Sequence, residues 1–196
     1  MTQLHIAVRE GRKAVIPTTE PVVFSAGPIR NSRIWQNDAM RFGIERDADV
    51  FFASPLRDTG DFDHDLSSYL APFTGQQNFP RQRAWEQYYL DQAGLNREDD
   101  DGCVFFWLEK PLPRAEWTFP EKQYAQITMY ELGQWVIRKQ IDPRTRLVIG
   151  ADKDFPELST LLFDIETTLG ENFIVHGTLQ GTVNAAIDIA LAGKAT

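Results

Sequence analysis

Val22-Val23-Phe24-Ser25-Ala26-Gly27-Pro28 is a run of apolar and small residues closed by a Gly-Pro breaker. The run does not alternate apolar with polar, so the strand it predicts is covered on both faces. Ser32 to Phe42 follows, with Ile34, Trp35, Ala39 and Phe42 near a helical period. The same rhythm repeats downstream. Strands are expected at Asp49 to Ala53 (ended by Pro55), Cys103 to Leu108, Arg146 to Gly150 and Asn172 to His176. Helices are expected at Phe79 to Ala93, Tyr124 to Arg138, Pro156 to Leu169 and Leu179 to Ala192. Alternating strands and helices predict an α/β fold with about five parallel strands and helices on both faces, flavodoxin- or Rossmann-like in order.

The chain has 196 residues, 42% of them hydrophobic. At roughly 150 residues per domain this is one domain, assigned to 21–196. Residues 1–20 read as an N-terminal extension. Leu4, Ile6 and Val8 alternate, Glu10-Gly11-Arg12 turns, and Ala14 to Ile16 is apolar, as a hairpin or an edge strand would be.

Charge is 20 − 28 = −8, which repels phosphate backbones and argues against a nucleic-acid polymer as partner. A small anion held by local arginines is still allowed. One cysteine, Cys103, permits no internal disulfide and suits an intracellular, cytoplasmic setting. Its place at the start of a strand reads as core. The opening MTQLHIAVREGRK lacks the apolar stretch of a signal peptide, and no run is long enough to span a membrane. His5, His64 and His176 are far apart and make no metal pattern. The acidic stretch Asp58 to Asp65 and the run Arg97 to Asp101 read as solvated loops. No Walker, zinc or Gly-x-Gly-x-x-Gly pattern is present, so neither a metal nor an organic cofactor is expected.

Ligands of parallel sheets sit at the carboxyl ends of the strands. The loops expected there are 27–33, 54–78, 109–120, 150–156 and 177–180, and the two long ones would wall a pocket. Three motifs could carry chemistry. Gly27 and Pro28 lead into a helix start, with Arg30 and Arg33 placed either to contact a phosphate or to sit in solvent. Thr128-x-x-Glu131 fits a capping box, as does Thr118-Phe119-Pro120-Glu121. Glu131 is therefore either a cap or an ionised carboxylate able to attack a sugar carbon. Glu86 shares a helix edge with Leu90 and Ala93, where a carboxylate either donates a proton or pairs with an arginine. Trp85, Trp107, Trp117 and Phe119 are candidates to stack on a base, or are packing residues.

The ordered set resembles the nucleoside 2-deoxyribosyltransferase-like superfamily, which includes nucleotide N-glycoside hydrolases. The resemblance runs from about Val22 to Ala192. It rests on Ala26-Gly27-Pro28, Trp35 and Ala39, Ala53-Ser54-Pro55, Trp85-Glu86, Val104-Phe105-Phe106-Trp107 and Thr128-x-x-Glu131-x-Gly133. It implies cleavage or transfer at the N-glycosidic bond of a (deoxy)nucleoside or its 5′-monophosphate. Glu131 would be the nucleophile and Glu86 the proton-handling partner. Gly27 and Pro28 would hold the sugar or phosphate end, with Thr128 in the same site. Arg30 or Arg33 would contact a phosphate, and the chain would form a homo-oligomer. The family often carries an aspartate six residues before the nucleophile; here Ala125 stands there. That departure leaves a second expectation, a nucleotide-binding module without turnover. A third is an interaction protein whose motifs are caps and core.

Overall fold

The computed structural model describes residues 1–7, 13–16, 18–57, 61–71, 78–79, 82–95 and 101–192. The turn at Glu10 to Arg12, Asp58 to Gly60 of the acidic stretch and Arg97 to Asp100 of the charged run lie outside the described residues. In chain order the strands are β1 Gln3–Ala7, β2 Lys13–Ala14, β3 Val22–Ala26, β4 Phe51–Arg57, β5 Asn78–Phe79, β6 Gly102–Leu108, β7 Leu147–Ala151 and β8 Val175–His176. The helices are α1 Trp35–Glu45, α2 Gln82–Gly94, α3 Gln126–Ile141, α4 Leu158–Leu169 and α5 Leu179–Ala192.

One sheet holds six parallel strands in the order β1-β4-β3-β6-β7-β8. The five expected strands keep the flavodoxin-like order, and β1 adds a sixth at the edge beside β4. The extension therefore supplies an edge strand. Its second apolar piece does not fold back on it: β2 pairs antiparallel with β5 instead.

Strand residues divide between two cores, as parallel sheets require. Cys103, Phe105 and Trp107 of β6 pack with Trp35 and Met40 of α1 and Val183 and Ile187 of α5. Val104, Phe106 and Leu108 face the other side, with Trp85 and Tyr89 of α2, Leu132 and Trp135 of α3 and Ile165 of α4. Burying one such large side chain stabilises the fold by roughly 1.5–3 kcal/mol. Burial pushes the Cys103 thiol up to about 12, as suits a core residue.

Two expectations are corrected. Pro55 does not end its strand, because β4 continues to Arg57. Pairing with β3 stops at Ala53, and pairing with β1 becomes irregular after Ser54, so Pro55 interrupts no regular ladder. Neither capping box forms. α3 starts at Gln126, behind Ala125 in the left-handed region at φ 54°, with no side-chain cap. Thr128 falls inside the first turn and is buried, and Thr118 lies in the preceding loop. The helix begins where its inner residues Leu132, Trp135 and Val136 can reach the core.

Candidate functional site

A cleft of about 560 Å³ opens at the carboxyl ends of β3 and β4, beside the point where the strand order reverses. Pro55 and Leu56 of β4 and Asp61 after it line it, together with three further segments. Gly27, Pro28 and Arg30 come from the β3–α1 connection. Arg83, Glu86 and Leu90 come from α2. Phe119, Lys122, Thr128 and Glu131 come from the loop before α3 and from its first turns.

The β3–α1 connection is built rigidly. A Cβ on Gly27 would lie 2.3 Å from the Trp107 carbonyl oxygen and 2.6 Å from Trp35 Cζ2, so only glycine fits. The Pro28 carbonyl accepts from Trp35 Nε1 at 2.8 Å and from Ser32 Oγ at 3.0 Å. Asn31 sits in the left-handed region at φ 59°, which asparagine tolerates. Its side chain clamps the opposite loop: Nδ2 donates to the Phe119 carbonyl at 3.0 Å, and Oδ1 accepts from Phe119 N at 3.1 Å. The Asn31 carbonyl accepts from Leu112 N at 2.8 Å. The clamp holds the Phe119 ring in the cleft wall, with the Arg30 guanidinium 5.1 Å from the ring centroid.

The carboxylates face this wall from α2 and α3. Arg83 Nη1 donates to Glu131 Oε1 and lies 3.6 Å from Glu86 Oε2. Their side chains are 16% and 17% exposed, so one cation serves two largely buried acids. Burial pushes the Glu131 carboxyl above the usual glutamate range. The Arg83 hydrogen bond and charge oppose that shift, and the Glu86 charge adds to it. The two carboxylates therefore share one guanidinium at the cleft.

Of the residues singled out in the sequence, Glu131, Glu86, Gly27, Pro28, Arg30, Thr128 and Phe119 meet at the cleft. Arg33, Trp85 and Trp107 are not in its wall. Arg33 Nε donates to Glu109 Oε1 at 2.9 Å and Nη1 to Asp38 Oδ2 at 2.6 Å. Glu109 is 1% exposed and also accepts from Trp107 Nε1 at 2.7 Å, so Arg33 neutralises a buried acid. Trp85 is buried and donates from Nε1 to His5 Nε2 at 3.1 Å. Trp117 donates from Nε1 to the Leu112 carbonyl at 2.8 Å, within its loop. Sequence reading gave Arg83 and Asn31 no role. Arg83 carried a signal, three residues before Glu86 on one helix face. The role of Asn31 depends on a loop 88 residues away and carried none.

Among the described residues, no group of three or more His, Cys, Asp or Glu side chains is placed to hold a metal ion, and no helix is long and apolar enough to cross a membrane. Comparison with family models and with curated protein sequences gives no match for this chain.

Proposed function

We propose that the protein cleaves or transfers the N-glycosidic bond of a (deoxy)nucleoside or nucleoside 5′-monophosphate through a covalent glycosyl-Glu131. The observation that carries this reading is the shared Arg83 contact of Glu131 and Glu86 in the cleft. The anomeric carbon bonds to Glu131 as the bond to the base breaks, and Glu86 delivers a proton to the departing base. Water then hydrolyses the ester, or a second base accepts the sugar. Phe119 offers a ring for stacking, and Arg30 and Lys122 offer positive charge for a phosphate. A cytoplasmic setting suits the single, buried cysteine.

A homo-oligomer is supported by the outer face of α3. Tyr130, Ile137 and Ile141 are exposed on one stripe, with exposed Ile127, which also lines the cleft, at its end. The inner face of the same helix is also apolar, and a helix apolar on both sides is normally covered on both. The stripe is nearly symmetric about Gly133 and Gln134, so an antiparallel second copy would set Ile127 against Ile141 and Tyr130 against Ile137. Nothing lies within 4 Å of a Cβ built on Gly133, which leaves room for close approach there.

One observation favours the rival reading of a nucleotide-binding module. Ala125 lines the cleft and supplies no carboxylate. Chromatography separates the two readings. The protein is incubated with ribo- and deoxyribonucleosides and their 5′-monophosphates, with and without a second free base. Release or exchange of base supports the enzyme; tight binding with every substrate recovered intact supports the module.

A further inference from the structure

The glycosidic reading assigns no task to Arg83, yet this residue makes the closest contact with Glu131. We infer that Arg83 is a positioning residue, the shared counter-cation beside which a single negative charge passes from one carboxylate to the other during glycosyl transfer. The inference rests on the N-glycosidic reading and adds a role that the reading does not contain.

The geometry is specific. Arg83 leaves the first turn of α2 and reaches across to Glu131 on α3, while Glu86 stands one turn along its own helix. Nη1 contacts both acids, so the guanidinium need not travel to change partner. The arginine side chain is 48% exposed and the acids are largely buried. The cation therefore retains part of its hydration while compensating charges that have lost much of theirs. The other charged groups of the cleft wall are Asp61, Arg30 and Lys122.

The charge balance follows. The proposed step starts from the pair holding one proton and one negative charge, with the charge on the attacking Glu131. A Glu131 oxygen bonds to the anomeric carbon, the bond from that carbon to the base nitrogen breaks, and its electron pair leaves with the base. The Glu86 proton goes to the base. Glu131 is now a neutral ester and Glu86 is ionised, so the pair again holds one negative charge. In hydrolysis water attacks the anomeric carbon, Glu86 takes the water's proton, and the Glu131 carboxylate leaves. At each stage Arg83 faces one negative charge. An environment fixed before and after a charge moves needs little reorganisation as it moves, which is the physical basis of electrostatic catalysis.

The test uses the full chain with carboxyl-labelled glutamate, and compares the parent with Arg83→Gln and Arg83→Lys. Position 83 is at the surface end of α2, so the variants disturb no core packing. Carboxyl titration by NMR without substrate reads the pair directly. Glu131 is expected to titrate at higher pH in Arg83→Gln and to return toward the parent value in Arg83→Lys. With substrate, kcat is expected to fall on the order of 10²-fold in Arg83→Gln with KM little changed, and to recover in part in Arg83→Lys. A Glu131 titration unmoved by Arg83→Gln overturns the shared-cation role, whatever the activity. A moved titration in a protein that releases no base from any substrate overturns the glycosidic reading instead, and with it the transfer of charge. A loss confined to KM also overturns the role, because it would make Arg83 a substrate-binding group.

Discussion

Arg83 on α2 is ion-paired with Glu131 on α3, and through that pair the two helices present their acids to one cleft at the carboxyl ends of β3 and β4. A buried carboxylate beside a second acid is an unfavourable arrangement for stability, and such arrangements are common where a group must react. The contact ties the stability of the fold to the proposed chemistry, and the two can be measured separately.

Replacing Glu131 by Gln should leave the protein at least as stable as the parent at neutral pH. Burial holds the Glu131 carboxyl above its usual range in the fold. A group raised in this way contributes stability that is fully present below the ordinary glutamate value and is lost as pH rises through the folded value. The Tm of Glu131→Gln relative to the parent should therefore rise as pH is taken from about 4 to 7. Thermal scans across that range check it; a Tm difference that shrinks with rising pH would contradict the assigned direction.

Gly27→Ala should destabilise by about 1–3 kcal/mol, the usual cost of an extra group in a filled space. The new Cβ meets the Trp107 carbonyl oxygen, which is backbone, and the Trp35 ring, which is fully buried. Urea unfolding measures the loss, and an unchanged midpoint would mean that the turn can open.

Asn31→Gly keeps the left-handed backbone and removes both hydrogen bonds to Phe119. The stability lost should be about 1–3 kcal/mol, at 0.5–1.5 for each bond. Freed from its clamp, Phe119 should bind substrate less well, raising KM while kcat holds within about threefold. Steady-state kinetics on the best substrate found would show the split; a fall in kcat alone would remove Phe119 from recognition.

Ile137→Asp should turn a self-associated protein into a monomer in sedimentation experiments. Gln134→Cys should give a disulfide-linked pair under mild oxidation, since the one native cysteine, Cys103, is buried and does not compete. A parent that is monomeric at every concentration, with no cross-link at position 134, would leave the α3 stripe for a different protein.

The sheet was readable because its central strands are continuous apolar runs, and the segment that begins at Val22 sets the pattern for the rest. The start of α3 was not readable. Thr128 and Thr118 both carry the local signature of a cap, but the end of the helix is set by where Leu132 and Trp135 meet the sheet and by the loop that Asn31 ties down. The β2–β5 pair was hidden for a similar reason, because its partners lie far apart in sequence. In the site, Glu131 was placed at the pocket end through an expected helix start near Thr128, and Glu86 through its helix edge and the family resemblance, and both do line the cleft. Arg33 could not be separated from Arg30 by sequence: what turns Arg33 away is Glu109, a buried acid whose burial has no local signal.

The central claim is that Glu131 carries the sugar between the two steps. Its most direct test is the mass of the protein quenched in acid during turnover, followed by peptide mapping. The account predicts an added mass of one ribosyl or deoxyribosyl group on the peptide that contains Glu131, lost on standing with water or a second base and absent from Glu131→Gln. Base released by the parent without any such adduct, and at the same rate by Glu131→Gln, would contradict it.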